Sequence, residues 1–370
     1  MGYFLKINFV MPDFYKDKPI GGFKTIYSYA NALVEHGHQV TITYLSDAFP
    51  AYKSFLFFIK QSIRYIYHKS IKYFPKKINW FSLDNRVRLI IDKTPIKITF
   101  PNADVIVATS SLTAKIVFSL SKSKGEKFYF LQHDESTFSV DHDTISTWGY
   151  GFHLMAVAKW IKERVHKYYP ETKVDLIPNF VNFGSFKLIN KISDRKDVVS
   201  MLVHPDPIKG TEYGLKALKI IKKRFPDVKI ILFGTCSRPK ETGFEFEYYQ
   251  NASESKLCQI YNESMIYVMP SILEGWGLTA TEAMQSGAAL VTTENGGVDD
   301  FTERNISAIK VPSRSSTSLA RGIEKLLLDD DLRQAIAQQG HDKVQRFTFE
   351  NSYQLFVKSL LCGLGVAHEK

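Results

Sequence analysis

The stretch PSILEGWGLTATEAMQSGAALVTTENGG, residues 270–297, follows an apolar run at 265–269. The run predicts a buried strand, and the small residues after it predict a turn before a helix that begins near Leu278. A second strand is predicted at 288–293. The N–H groups at such a helix start, with the helix dipole behind them, favour an anionic ligand. The stretch therefore predicts a strand–turn–helix–strand unit that carries an anion site.

Two carboxylates flank this predicted anion site. Glu274 lies in the turn, and Glu282 lies eight positions later within the helix. A carboxylate accepts short, strong hydrogen bonds, so this pair suits recognition of sugar hydroxyls beside a phosphate. The alternative is a pair of solvated acidic residues near a helix start, which would interact only with the helix dipole.

The bulk composition predicts a soluble protein of two domains. The chain has 370 residues, of which 44% are hydrophobic and 23% are charged. Its cysteines, Cys236, Cys258 and Cys362, contain no C-x-x-C pair, which argues against a disulfide framework or a zinc site and favours a reducing compartment. Residues 1–11 lack a signal-peptide pattern, and no apolar run reaches transmembrane length. We therefore expect a cytoplasmic location.

Strands and helices alternate twice along the chain, which favours α/β architecture with parallel sheets. In the first half, Gly21-Gly22 opens a helix between two predicted strands, and His133 follows the strand predicted at 127–131. Ligands bind beyond the carboxyl ends of such strands, so His133 is a candidate site residue, although a single histidine can also be structural. The alternation restarts at 198. We predict two Rossmann-like domains facing across a cleft, at 1–182 and 183–349, with a helix at 350–370 that packs back on the first domain.

A basic segment lies within the first half. Residues 1–182 hold 24 lysines and arginines against 15 acidic residues, and residues 51–80 hold seven basic residues and no acidic one. Apolar residues recur there at helical spacing, which predicts an amphipathic helix that binds an anionic membrane surface. A surface helix packed on the sheet, or a nucleic-acid binder, are the alternatives, and the aromatic residues of the apolar face favour lipid. The predicted membrane contacts are Lys60, Arg64, Lys69 and Lys72.

The spacing of Glu274 and Glu282 resembles the E-x₇-E signature of retaining glycosyltransferases of family 4, which have the GT-B fold. Further motifs agree in the same order along nearly the whole chain: Gly21-Gly22, His133-Asp134, Ile177-Pro178-Asn179 and Lys209-Gly210. Two positions depart from the family pattern. His204 stands where the family usually has an arginine, and Trp276 replaces the commoner phenylalanine. Histidine is a weaker and pH-dependent cation, so either His204 contacts the phosphate or another basic residue supplies the second charge.

The resemblance implies roles for the candidate residues. Lys209 would neutralise the diphosphate of a nucleotide-sugar donor, Glu282 would bind the ribose, and Glu274 and His133 would contact the donor sugar as the catalytic residues. The full set of implied donor-binding residues is Gly22, His204, Lys209, Gly275, Trp276, Gly277, Leu278, Thr279 and Glu282.

The resemblance also implies the reaction. The acceptor attacks on the same face from which the diphosphate leaves, without a metal or another cofactor. With the basic segment, this predicts a lipid-linked glycan acceptor at the inner face of a bacterial-type membrane, in surface polysaccharide synthesis, and no nucleic-acid partner. A soluble small-molecule acceptor is the alternative. A nucleotide-binding oxidoreductase would require a complete G-x-G-x-x-G fingerprint, which Gly21-Gly22 lacks.

Overall fold

The computed structural model describes residues 4–46, 59, 63, 77–93, 96–137, 143–195 and 197–366. Within those residues the chain forms two compact units. The first contains the part up to Ile177 together with the part from Tyr353 onward, and the second contains Pro178–Ser352. The predicted membrane contacts Lys60, Arg64, Lys69 and Lys72 lie outside the described residues, so that interpretation stays a prediction.

The first unit is built on a parallel sheet, in which the strands described have the order β3-β2-β1-β4-β5-β6-β7. The strands are β1 (Lys6–Met11), β2 (Gln39–Leu45), β3 (Arg88–Lys93), β4 (Val105–Ala108), β5 (Glu126–Leu131), β6 (His153–Ala156) and β7 (Val174–Leu176). The helices whose bounds are described are α1 (Gly21–Glu35), α2 (Ser111–Phe118), α3 (Asp143–Ser146) and α4 (Lys159–Tyr168). Central strands such as β4 are buried at every position, as expected for a parallel sheet covered on both faces.

The second unit has its own parallel sheet, and the strands described have the order β10-β9-β8-β11-β12-β13. The strands are β8 (Val198–Leu202), β9 (Lys229–Gly234), β10 (Glu247–Gln250), β11 (Ile266–Met269), β12 (Ala289–Thr293) and β13 (Ile309–Val311). The helices are α5 (Thr211–Arg224), α6 (Glu254–Glu263), α7 (Leu278–Gln285), α8 (Ser316–Leu328), α9 (Asp330–Val344) and α10 (Phe349–Gly363).

The strand order reverses direction once in each sheet. In the first unit the reversal lies between β1 and β4, and in the second unit it lies between β8 and β11. Ligands of open α/β sheets bind beyond the carboxyl ends of the strands at such a switch point. Each unit therefore has one place where the fold itself favours a ligand.

The last helix, α10, begins in the second unit, and its residues from Tyr353 onward belong to the first. Phe356 is fully buried, and its ring stacks on that of Tyr29 at 4.5 Å between centroids. The Ser359 hydroxyl also donates to Asp175 Oδ2 at 2.7 Å. Aromatic burial of this kind holds the helix on the first unit.

Candidate functional site

Two loops of the second unit meet at its switch point. The loop after β8 ends in a 3₁₀ turn at Pro207–Lys209. The N–H of Ile272, in the loop after β11, donates to the Ile208 carbonyl at 2.7 Å. This bond joins the loops and places the Lys209 ammonium 2.8 Å from Glu274 Oε2. The structure thus brings together the two residues to which the family resemblance assigns the diphosphate and the donor sugar.

The Glu274 carboxylate is held on both of its oxygens. Lys209 pairs with Oε2, and the Ser271 hydroxyl donates to Oε1 at 2.8 Å. The Glu274 N–H donates to the Asn295 carbonyl at 2.9 Å, which ties the residue to the turn after β12. The side chain is only 10% exposed. A buried carboxylate is tolerated when it is paired and hydrogen-bonded, so these partners fix both its charge and its orientation.

Gly210 lets the two loops approach this closely. Its φ is 62°, a left-handed conformation, and an added Cβ would lie 2.0 Å from the Pro270 carbonyl oxygen. No L side chain fits without moving one loop from the other. The glycine of the Lys-Gly pair is therefore required for the position of the neighbouring lysine.

Helix α7 begins beside this ion pair with an uncapped first turn. Its N-cap, Gly277, has φ 104° and makes no side-chain cap hydrogen bond, and the first turn holds no acidic residue. Leu278 and Thr279 are half-buried, whereas Gly275 is buried in the turn before them. An uncapped helix start carries partial positive charge on its N–H groups, which suits an anionic group such as a diphosphate.

Glu282 lies on the same helix, 7% exposed, and the buried Tyr261 hydroxyl donates to its Oε2 at 3.5 Å. Tyr267 lies close to both carboxylates. Burial raises the pKa of the Tyr267 phenol. A hydrogen bond with the Thr279 side chain lowers this pKa, and the negative charges of Glu274 and Glu282 raise it. The two carboxylates of the E-x₇-E spacing therefore share one buried tyrosine.

His204 follows β8 in the place where the resemblance leads one to expect an arginine. Its Nδ1 accepts a hydrogen bond from the Asp206 N–H at 3.1 Å. A nitrogen that accepts a hydrogen bond carries no proton, so in this arrangement the ring is neutral with its proton on Nε2. In this arrangement His204 does not supply the positive charge of an arginine.

The Trp276 side chain packs into the interior of the second unit. It is 2% exposed, and its ring lies 5.2 Å from that of Phe301 and 5.0 Å from that of Phe347. These ring contacts anchor the turn from Glu274 to Leu278. The assignment of Trp276 to donor binding therefore rests on the family resemblance alone.

Arg195 is a buried residue that holds the ends of α6 and α7, and it was not among the candidates identified from the sequence. It is 4% exposed and donates to the Tyr261 and Ser264 carbonyls at the end of α6 and to the Ser286 carbonyl at the end of α7. Burial lowers the pKa of its guanidinium to about 10. A cation at two helix ends complements both dipoles and fixes the helix that carries Glu282. No local pattern marks such a residue in the sequence.

In the first unit, the structure brings together Gly22, Gln132 and His133. Gly22 lies in the first turn of α1, and an added Cβ there would lie 2.9 Å from Gln132 Oε1. The Gln132 amide therefore lies against the backbone of α1 at Gly22. The Nδ1 of His133 lies 3.2 Å from the Asp134 carbonyl oxygen, and its ring packs edge-on against Trp160 at 6.2 Å.

The residues after His133 anchor its loop. The buried Asp134 carboxylate accepts from Arg164 Nε at 2.9 Å. Glu135 accepts from both the N–H and the hydroxyl of Ser111, at 2.7 and 2.6 Å, and so caps helix α2. Helix α2 follows β4 as α7 follows β11, but its start is occupied by a carboxylate of the protein. Of these two equivalent helix starts, only that of α7 is open to an anionic ligand.

In the part of the chain that the structure describes, no group of three or more histidine, cysteine, aspartate or glutamate side chains is arranged to hold a metal ion. No helix in the same residues is both long and apolar enough to cross a membrane.

The fold has close matches among solved structures. Sucrose-phosphate synthase from Thermosynechococcus elongatus superposes with a TM-score of 0.72 at 14% identity, over 98% of this chain and 100% of that chain. HepE from Anabaena, solved in complex with UDP-glucose, also gives a TM-score of 0.72, at 15% identity, over 97% of this chain and 100% of that chain. These matches and the two parallel sheets confirm the predicted fold class, α/β with two Rossmann-like domains of the GT-B type.

Sequence similarity to a known family covers most of the second unit. Residues 185–343 match the family described as Glycosyl transferases group 1. A D-inositol 3-phosphate glycosyltransferase from Corynebacterium urealyticum is 26% identical over 168 residues, which are 41% of this chain and 39% of that protein. The chain spans 38% to 57% of the first curated relatives that it matches. These similarities support a relationship between this chain and the group 1 glycosyltransferases.

Proposed function

We propose that the protein transfers a sugar from a nucleotide-diphosphate sugar to a glycan acceptor, as a retaining enzyme of the E-x₇-E type of family 4. One observation carries the proposal. The Lys209–Glu274 ion pair lies beside the uncapped start of α7, at the switch point of the sheet. A cation and open N–H groups suit a diphosphate, and the adjacent carboxylates suit the hydroxyls of the sugar and the ribose.

Each group has a distinct role in this proposal. Lys209 and the backbone of the turn from Gly275 to Thr279 bind the diphosphate, and His204 is assigned to it through the family resemblance. Glu282 binds the ribose hydroxyls. Glu274 binds the donor sugar and keeps the Lys209 ammonium in place. His133 and Gly22, from the first unit, are assigned to the donor sugar and the diphosphate through the family resemblance alone.

The chemistry follows from charge. In the transfer step the bond between the sugar C1 and the phosphate oxygen breaks, and the leaving diphosphate keeps the electron pair. A new bond forms between C1 and the acceptor oxygen on the same face, and the acceptor proton passes to a phosphate oxygen. Negative charge therefore builds on the diphosphate, where Lys209 and the α7 N–H groups stabilise it. The proposal includes independence of a metal ion.

The acceptor is proposed to be lipid-linked, with the protein at the cytoplasmic face of the cell membrane during surface polysaccharide synthesis. The basic composition of residues 51–80 supports this assignment. A soluble acceptor is the second candidate, because the Corynebacterium urealyticum relative that matches part of the chain is named D-inositol 3-phosphate glycosyltransferase.

A transfer assay tests the proposal. Purified protein, a nucleotide sugar and a membrane extract or a soluble sugar acceptor should yield free nucleotide and a glycosylated product. NMR of the product should show the anomeric configuration of the donor sugar. The Glu274→Ala variant should remain folded by circular dichroism and lose most of the transfer. Full turnover by Glu274→Ala, or a product of inverted configuration, would contradict the assignment.

A further inference from the structure

Asn8 is a buried polar residue in β1, a strand whose other residues after Lys6 are all apolar. The side chain of Asn8 is 1% exposed, and its Oδ1 accepts a hydrogen bond from the Thr43 hydroxyl at 2.8 Å. Its Nδ2 is buried and has no hydrogen-bond partner among the residues described. Buried polar atoms in proteins nearly always have a partner, so a buried donor that lacks one indicates a ligand or a water at that place.

The register of the sheet places other polar residues beside Asn8. Asn8 pairs with Thr41 of β2, and Thr41 pairs in turn with Arg88 of β3. Residues that pair in this way lie on the same face of a sheet, and residues two apart along a strand do so as well. Lys6 and Gln39, which pair with each other at the starts of β1 and β2, therefore share this face. One face of the first sheet is thus polar across three strands at its amino end.

A small cavity opens at this amino end of the sheet, and its volume is about 40 Å³. One water molecule needs about 10–15 Å³ of such space, so the cavity holds about three waters or one small oxyanion. The polar residues that line it, among those described, are Lys6, Asn8, Gln39, Thr41, Arg88 and Asn102. The unpartnered amide of Asn8 therefore lies in the wall of a cavity large enough for a ligand.

Asn102, in the segment before β4, has an amide whose oxygen is already bonded. Its Oδ1 accepts from the Lys124 ammonium at 2.8 Å, and the same ammonium donates to the Phe100 carbonyl at 2.8 Å. The Asn102 amide therefore has its N–H donors left for another partner, as Asn8 has. The buried charge of Lys124 also makes this side of the cavity more favourable for an anion.

Two cations complete the lining of the cavity. Within the described part of the chain, neither the Lys6 ammonium nor the Arg88 guanidinium has a hydrogen bond or a salt bridge. None of the described lining residues is acidic. The neighbouring Asp104 carboxylate accepts from the Lys6 N–H at 2.7 Å, which ties it to the backbone of β1. The lining thus combines positive charge with N–H donors, which is the chemistry that recognises an anion.

We propose that this cavity binds a terminal phosphate group. Lys6 and Arg88 balance the charge of the phosphate, and Asn8 Nδ2 donates a hydrogen bond to one of its oxygens. A phosphate carries close to two negative charges at neutral pH and accepts several hydrogen bonds, which matches two cations and two amides. The cavity lies at the amino ends of the strands, whereas His133 follows the carboxyl end of β5. The proposed phosphate site therefore goes beyond the proposed transfer reaction and does not depend on it.

Phosphorus NMR of inorganic phosphate with the intact chain, at constant ionic strength, tests the site. All proteins carry Lys209→Met, because the second unit is itself proposed to bind a diphosphate. The reference protein should broaden the phosphate line in a saturable way. Arg88→Met should weaken the binding about ten- to hundredfold, because a hydrogen-bonded charge is lost. Asn8→Asp keeps the shape of the side chain and adds a negative charge, so it should abolish the binding.

Arg86→Met is the matched control. Arg86 lies two residues before Arg88, pairs with Asp84 at 2.7 Å and does not line the cavity, so the same loss of charge there should leave the binding unchanged. If Asn8→Asp does not fold, as judged by circular dichroism, Arg88→Met decides, because Arg88 is exposed on an edge strand. The inference is wrong if the reference protein does not broaden the line, or if Arg88→Met and Arg86→Met bind phosphate equally.

Competition identifies the source of the phosphate group. Glycerol phosphate and the soluble lipid dihexanoyl phosphatidic acid both end in a phosphate monoester and differ in what carries it. Each is added to the protein with bound inorganic phosphate, and the compound that restores the narrow line at the lower concentration indicates a small metabolite or a lipid headgroup. Displacement by neither compound would identify inorganic phosphate itself as the ligand.

Discussion

Replacing Lys209 with methionine separates the structural and the catalytic role of the ion pair. Methionine keeps the length of the side chain and removes its charge. The Glu274 carboxylate, 10% exposed, would then keep Ser271 as its remaining side-chain donor. We expect the free energy of unfolding to fall by about 1–3 kcal/mol, because a mostly buried carboxylate loses its cation while Lys209 itself was 26% exposed.

The double variant Lys209→Met/Glu274→Gln completes the cycle. Glutamine has nearly the shape of glutamate and no charge, so the stability lost in Lys209→Met should return in part, measured by urea unfolding. Activity should not return. Each single variant should lower kcat about 100- to 1,000-fold, because a group that stabilises charge on the leaving diphosphate or positions the donor sugar is lost.

Two results would refute this reasoning. Transfer by Lys209→Met within about tenfold of wild type would mean that the lysine does not face the developing charge. Recovery of transfer in the double variant would mean that the pair acts only by maintaining the fold.

Four further outcomes follow from the structure. Burial raises the pKa of Glu135, so this carboxyl contributes stability that is complete below its unfolded pKa of 4.5 and is lost as the pH rises through its folded pKa. The free energy of unfolding of wild type, measured with urea relative to Glu135→Gln, should therefore fall as the pH rises from 4.5 to neutrality. A difference between the two proteins that stays constant with pH would contradict the raised pKa of Glu135. Gly210→Ala should lower Tm by more than Gly37→Ala. Both glycines have positive φ, but an added Cβ at Gly37 meets nothing within 4 Å, whereas one at Gly210 meets the Pro270 carbonyl. Equal falls in Tm would mean that the contact with Pro270 is relieved at no cost. Vesicle co-sedimentation at low salt should retain the protein on anionic lipid and lose it when Lys60, Arg64, Lys69 and Lys72 become glutamate; retention of that variant would show that the segment is not the membrane contact. EDTA should leave the transfer rate unchanged, and a loss restored by magnesium would contradict metal independence.

The interior of the fold could be predicted from the sequence, but three of its four edge strands could not. Central strands such as β1 and β11 are short apolar runs, which a parallel sheet buried on both faces requires. The sequence reasoning missed β3, β10 and β13, and all three are edge strands of their sheets. An edge strand such as Glu247–Gln250 is half exposed and polar, so it lacks the apolar signal.

The donor side of the candidate site was also visible in the sequence. Glu274, Glu282 and Lys209 follow strands at recognisable spacing, and the fold places them at one switch point. Arg195 could not be found in this way, because its partners are distant in sequence and depend on tertiary packing. The neutral state of His204 likewise follows from one backbone hydrogen bond that no spacing predicts.

A thermal-shift screen against UDP-, GDP- and dTDP-sugars tests the central claim most directly. The account predicts that one class raises the Tm of the wild-type protein by about 5–10 °C at 100 times its Kd. That shift should be largely lost in Lys209→Met and kept in the control Lys216→Met, whose lysine pairs with Glu212 on the exposed face of α5. No shift with any nucleotide sugar, or a shift that Lys209→Met preserves in full, would contradict the assignment of the second unit as the donor site.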